Sequence, residues 1–293
     1  MSTFIKLVKN PLGLIGLLLL IFFGMVALLA PTLAPPERPH EPYRIPRDGY
    51  RAEPQPPNPK HPFGTTQGQH DIYYGCVWGA RTAWFVSLVV VGLSVVIGVT
   101  IGAISAFYGR WLDEVVMRIT DIFYAFPFLV AAMTLAAILG HGVSSAIAAL
   151  VAFSWMGYAR LSRGEVLRIR EMDYIQAARA LGVPPWRLIF RHILPNAIWP
   201  VFVTATMNMG SIVITFAALS FLGVGVPQGY ADWGQMISYA RNWIIGLHGK
   251  PLAYWYTVIY PGAAITLFCL AWNLVGDALR DILDPRLRGR ISV

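Results

Sequence analysis

The side chains able to build a catalytic or metal centre are few and scattered. His40, His61 and His70 share one stretch with Asp71, but their separations fit no standard zinc pattern. His141 lies between two glycines in a turn. His192 has no paired nucleophile or carboxylate, so a docking or helix-start role suits it better than general-base work. Cys76 and Cys269, the two cysteines, form neither a disulfide scaffold nor a zinc framework, and Cys269 reads as an inert buried thiol. No G-x-x-x-x-G-K-[S/T] occurs, so nucleotide chemistry would have to sit on another chain. Two polar residues stand in apolar surroundings. Asp121 is placed to pair with Arg118 one turn earlier, or to line a water-filled path. Asn208 is placed to line a conduit, with Thr204, Thr206 and Ser211 bonding neighbouring helices.

The residues that do cluster are arginines: 160, 163, 168, 170, 179, 187 and 191. Within this stretch Asp173 can cap a helix, and Tyr174, Ala177, Ala178 and Leu181 recur at helical spacing. Gly182 supplies a left-handed stop. Pro184 and Pro185 suit the first turn of a second helix, with Trp186, Leu188, Ile189 and Ile193 as its apolar face. Pro195 closes the segment. Ala177, Ala178 and Gly182 form a small-residue tip with a charged rim (Arg179, Arg187, Arg191). Such an element either seats in a groove of another protein or rests on lipid phosphates.

The elements that must position these residues follow from composition. The chain has 293 residues, 56% apolar and only 13% charged, with net charge +8 and mean hydropathy +0.55. Soluble domains carry about 25% charged residues, so the class is a polytopic all-α membrane protein, not a nucleic-acid binder or a disordered chain. Charge-free runs at Asn10–Pro36, Thr82–Gly109, Ile122–Ala159, His192–Ala231 and Pro251–Gly276 hold the spans. Ile122–Ala159 is broken at Gly140-His141-Gly142 into two, giving six. The central arginines and the tail's Arg280, Arg286, Arg288 and Arg290 both belong in the cytoplasm by the positive-inside rule, so both termini are cytoplasmic. Sorted this way, the inner side holds fifteen Lys/Arg against nine Asp/Glu, or +6, and the outer side eight against six, or +2.

The run Leu12–Ala30 exceeds a signal core of about 7–15 residues and reads as an uncleaved anchor. The organisation is an anchor helix (1–36), an outer segment (37–81), a five-helix transmembrane domain with the arginine-rich loop 160–196 between spans 4 and 5 (82–280), and a tail (281–293). Pro31–Arg81 carries eleven prolines and predicts an extended spacer with little core, its His61–Arg81 part being the better docking pad. Pro227–Pro251 reads as an outer loop whose Tyr230, Trp233, Tyr239 and Trp243 anchor the membrane boundary or meet a partner. Gly98 and Gly102 form a G-x-x-x-G packing signal.

Gln176-Ala177-Ala178-Arg179-Ala180-Leu181-Gly182 and Arg191-His192-Ile193-Leu194-Pro195-Asn196 resemble the "EAA…G…LP" loop of permease subunits of binding-protein-dependent ABC importers. His61–Thr65, Phe126-Pro127, Leu219–Gly223, Trp233-Gly234 and Asn273–Arg286 extend the likeness to the C-type subunit of the dipeptide/oligopeptide/nickel group, over nearly the whole chain. The resemblance implies a bacterial or archaeal plasma-membrane permease that is half of a pathway. Its implied partners are a homologous B-type permease, two cytoplasmic ATPases that hold the ATP, a solute-binding protein outside, and membrane lipid. Asp173, Gln176, Ala177, Ala178, Arg179, Gly182, Trp186, Arg191, His192 and Pro195 would form the ATPase-coupling loop; no cofactor or metal would bind this chain directly. Peptide is the implied solute, with nickel, oligosaccharide or another solute as alternatives. A channel or membrane enzyme is the reading from another class. The sequence departs from the family pattern in Gln176 (usually glutamate), His192 (usually isoleucine), Thr66 (usually acidic) and Gln69-His70-Asp71 (usually Gly-Arg-Asp).

Overall fold

The computed structural model describes residues 3–244 and 252–283, and every regular element among them is helical. A short helix α1 (Thr3–Lys9) and a longer α2 (Pro11–Leu28) are joined at Asn10, whose side chain accepts from the Leu12 and Gly13 amides. A four-residue helix, α3 (Ala30–Leu33), leads into the proline-rich segment. Then follow α4 (Ile72–Tyr108), α5 (Arg110–Tyr124), α6 (Phe128–Leu139) and α7 (Val143–Arg170). After them come α8 (Asp173–Ala180), α9 (Pro185–Arg187), a π-helical turn (Leu188–Ile193), α10 (Leu194–Phe221), α11 (Trp233–Ile244) and α12 (Tyr256–Leu283). The tail residues Arg286, Arg288 and Arg290 lie outside the described residues, as does Pro251.

Among the described residues four stretches are long and apolar enough to cross a bilayer: α2, α4, 185–221 and α12. The pair α5–α6, bent by 85°, makes a fifth when counted as one. The break expected at Gly140-His141-Gly142 is present, since α6 ends at Leu139 and α7 begins at Val143. Several boundaries differ from the sequence expectation. Helix α4 begins at Ile72, not Thr82. Asp71 caps it, accepting from the Tyr74 amide at 2.8 Å, and the guanidinium of Arg81 lies over the Trp78 ring, so one arginine is accommodated inside the helix. The third span does not start cleanly at Ile122. Pro127 has no N–H to donate and adopts ψ 121°, so α5 and α6 part at Ala125–Pro127. The second short helix of the tip does not stop before the next long helix. The π turn runs directly into α10, and Pro195, in the first turn of α10, has no N–H to donate to the turn before it.

Helices α4 and α7 pack through the glycine pair. A Cβ on Gly98 or Gly102 would collide with the backbone carbonyls of Trp155 and Ala159, so only glycine permits this approach. Val86, Val90, Leu150, Val201, Phe216 and Leu219 fill the core between α4, α7 and α10. Phe23 of α2, Trp233 of α11 and Phe268 of α12 meet edge-to-face in a second cluster.

The proline-rich segment is more than a spacer. Tyr43 stacks on Tyr230, and Ile45 is 3% exposed. The amides of Ile45 and Ala231 donate to the Gly229 and Tyr43 carbonyls at 2.8 and 2.7 Å. The Tyr74 hydroxyl and Trp78 indole donate to the Pro42 and Ala34 carbonyls. Extended backbone without a ladder thus finds its partners on α4 and the loop after α10. Helix α11 likewise departs from the boundary-loop expectation. Trp233 is 2% exposed and donates to the Cys76 carbonyl at 3.1 Å, and Gly234 lies against the backbone of Ala217. Its aromatics pack inside the protein instead of anchoring a boundary.

Candidate functional site

The arginine-rich segment forms a bent tip at one end of the bundle. Helix α8 ends in a two-bond glycine stop. The Gly182 amide donates to Arg179 at 3.0 Å and the Val183 amide to Ala178 at 3.1 Å, with Gly182 at φ +78°. Asp173 is the first residue of α8, not its cap; Met172 holds the cap position, and the Asp173 carboxylate favours the positive helix end. Ile175 and Ile193 are buried and pin the tip to Ala103, Ala106, Val166 and Ala197 at the ends of α4, α7 and α10, and Leu188 is buried as well. The rest faces outward: Gln176, Ala177, Arg179, Gly182 and Arg191 are exposed, Ala178 and His192 half-buried. Leu181 is 85% exposed, Phe190 67% and Trp186 60%. Trp186 therefore does not share the buried face of Leu188, Ile189 and Ile193; it projects, with the Arg187 guanidinium over its ring. Gln176 reaches Glu171 at 3.3 Å, and Arg179 lies over Phe107.

Just inside the tip, three helices are tied by charge. The Arg163 fork donates twice to Asp113 at 2.6 Å, and Ser105 donates to the same carboxylate at 3.0 Å, joining α4, α5 and α7. Asp121 pairs with Arg160 of α7, not with Arg118, whose neighbour is Glu114 at 3.9 Å. The Arg160 guanidinium also covers the Tyr124 ring at 4.3 Å. Both ion pairs join residues about forty to fifty positions apart, and no local spacing in the sequence points to either.

Beside Tyr124 opens a cavity of about 330 Å³, walled by α4, the α5–α6 break, α7 and α10. Asn208 lines it and donates to the Tyr158 hydroxyl at 2.9 Å. Thr204 and Thr206 bond the carbonyls of Pro200 and Phe202 four residues back, so these hydroxyls serve their own helix, not a neighbouring one. Asp121 borders Tyr124 but does not line the cavity itself.

At the opposite end, the polar residues of the proline-rich segment organise the start of α4. His61 lies between Asp71 (2.6 Å) and Asp48 (3.1 Å), and Asp48 is also held by Lys60 at 2.7 Å. Hydrogen bonds from Lys60 and His61 keep the Asp48 carboxyl below its usual range. His70 accepts from Arg47 at 2.8 Å and stacks on Tyr239; burial, then the Arg47 charge, lowers its pKa to about 4. Asp232, at the head of α11, is pushed up to about 6 by burial against the pull of the Gln235 amide. No group of three or more His, Cys, Asp or Glu among the described residues is arranged to hold a metal ion.

Residues 98–289 match the family model of the binding-protein-dependent transport system inner membrane component. The chain belongs to that family. A second model, the N-terminal transmembrane domain of oligopeptide transport permease C, matches residues 2–57 of this permease and agrees with the C-type resemblance. The permease is 37% identical to the dipeptide transport system permease protein of Alkalihalophilus pseudofirmus, over 98% of this chain and 90% of that one. It is 34% identical to the oligopeptide transport system permease protein of Bacillus subtilis, over 96% and 87%. Its fold is similar to a methionine ABC transporter in inward-facing conformations, with TM-score 0.53 and 20% identity, covering 70% of this chain and 96% of that one. It is thus a multi-pass ABC-transporter permease.

Proposed function

We propose that this permease is one half of the pathway of an ATP-driven peptide importer in a bacterial or archaeal plasma membrane. The observation that carries the reading is the tip at 173–193. It is pinned by Ile175 and Ile193, yet it presents Tyr174, Leu181, Trp186 and Phe190 outward within a rim of arginines. A large apolar surface of this kind asks for a partner. An ATPase groove is that partner, and the Gln176–Pro195 motif is its ligand. Two such ATPases hydrolyse the ATP. A homologous B-type permease supplies the other half of the pathway, and a solute-binding protein delivers peptide to the opposite face. Peptide as the solute rests on the dipeptide and oligopeptide relatives.

In this reading the six spans are α2, α4, α5–α6, α7, α10 and α12, with both termini and the tip in the cytoplasm and the proline-rich cap outside. Asn208 lines the pathway, and Asp121 sits at its inner rim. The test is copurification in mild detergent. The unaltered chain should bring down an ATPase, and the double variant Leu181→Asp/Phe190→Asp should lose it while still inserting in the membrane. Retention of the ATPase by that variant refutes the docking assignment.

A further inference from the structure

The cavity at the α5–α6 break has a chemistry of its own. Phe123, Tyr124, Phe126, Phe128, Phe153 and Tyr158 give its wall an aromatic character, and no charged side chain lines it. Its volume of about 330 Å³ is at the small end of the range for ligand pockets, roughly 300–1,000 Å³. That suffices for one large side chain with its adjoining amide, not for a whole oligopeptide. Asn208 spends one amide hydrogen on the Tyr158 hydroxyl. Its second N–H and its carbonyl oxygen have no protein partner among the described residues. One free donor beside one free acceptor is the complement of a peptide group. A lipid chain would leave this pair unmet. A metal ion would find no carboxylate, thiolate or imidazole in the wall.

We infer that this cavity is a contact site for the moving solute, taking one uncharged apolar or aromatic side chain of a peptide while Asn208 bonds the peptide group beside it. The aromatic rings offer edge and face contacts to such a side chain. The absence of charge in the lining disfavours acidic or basic ones, whose desolvation nothing there would offset. The inference rests on the peptide-importer reading and adds to it a selectivity exercised by the permease after the binding protein has released its cargo.

The test uses the complete importer in proteoliposomes with Gly-Phe-Gly and Gly-Gly-Gly as probes. Ser211 and Thr215 lie on the α10 wall of the cavity, so Ser211→Trp and, separately, Thr215→Trp fill it. The same binding protein delivers both peptides, so its own preference cancels between wild type and variant. The ratio of Gly-Phe-Gly to Gly-Gly-Gly uptake should fall about tenfold, the scale on which a filled apolar pocket discriminates. An unchanged ratio in both variants, whether the two uptakes persist or fall together, overturns the contact site. Loss of the second permease on purification overturns it also, by showing the cavity to be a subunit interface. If the unaltered importer carries neither peptide, the peptide reading itself falls and takes this inference with it.

Discussion

Gly182 separates local strain from docking, because its backbone demands glycine while its surroundings demand nothing. Its φ is +78°, and a Cβ built there meets no atom within 4 Å. An L-residue in that conformation costs about 1–2 kcal/mol, and asparagine costs less. The tip has anchorage to absorb this. Ile175 and Ile193 are fully buried, each worth roughly 1.5–3 kcal/mol relative to exposure. Gly182→Ala should therefore leave the tip mostly folded, lowering coupled uptake by no more than about five- to thirtyfold, the factors that roughly 1–2 kcal/mol command. Gly182→Asn should fall between wild type and alanine. Gly182→Trp carries the same strain but adds a bulky ring in the space an ATPase would occupy. It should lower uptake at least a further tenfold below Gly182→Ala and uncouple ATP hydrolysis from the binding protein. The assays are uptake and binding-protein-stimulated ATPase activity in proteoliposomes, with membrane insertion as the control. Equal effects of Gly182→Trp and Gly182→Ala would mean that strain is the whole story, and the docking surface would have to be sought elsewhere.

Three further outcomes follow from the geometry. Gly102→Leu should force α4 from α7 and abolish a monodisperse peak on size-exclusion chromatography, since overpacking of a close contact costs about 1–3 kcal/mol or more. Gly92→Leu, whose Cβ would meet nothing within 4 Å, should elute as wild type. Arg163→Ala leaves the Asp113 carboxylate with Ser105 alone, and thermal unfolding in detergent should drop by several degrees; Arg163→Lys should restore part of this but not all, because a lysine cannot donate the paired fork. His70 is neutral in the folded cap, with its pKa lowered from 6.5 to about 4 by burial and by Arg47. The folded state therefore binds fewer protons than the unfolded chain between those values, and cap stability is held above pH 6.5 and lost as pH falls toward 4. Hydrogen exchange over 44–71, corrected for intrinsic rates, should quicken from pH 7 to pH 4.5 in the wild type and much less in His70→Gln. An equal pH response in His70→Gln would assign the effect to other groups.

What the sequence disclosed and what it hid divide along physical lines. A bilayer penalises charge, so charge-free runs located α2, the body of α4, α10 and α12. The same criterion failed where the protein itself accommodates a charge, as at Arg81 on the Trp78 ring, and it is blind to a break such as Pro127 inside an apolar stretch. Local chemistry was legible at the tip: Gly182 and Pro185 do at 173–193 what their backbones dictate. Placement was not. Trp186 has the residue type of a core face but lies beyond the point where the turn carries it outward, and Asp121 had a plausible partner one turn away while its actual partner is thirty-nine residues distant.

The proline-rich segment makes the same distinction most sharply. Ten of its eleven prolines lie in the stretch between α3 and α4, where they disfavour regular secondary structure, which is a statement about backbone hydrogen bonds within that stretch. They say nothing about whether Ile45 and Tyr43 find partners beyond it. Here Tyr43 lies on Tyr230, and Ile45 bonds the Gly229 carbonyl. The loop before α11 is thereby fixed to the N-terminal end of α4, and α11 is held among α4, α10 and α12 with Trp233 at its head. A segment that cannot fold alone still determines where its neighbours sit, and that influence has no signature in composition.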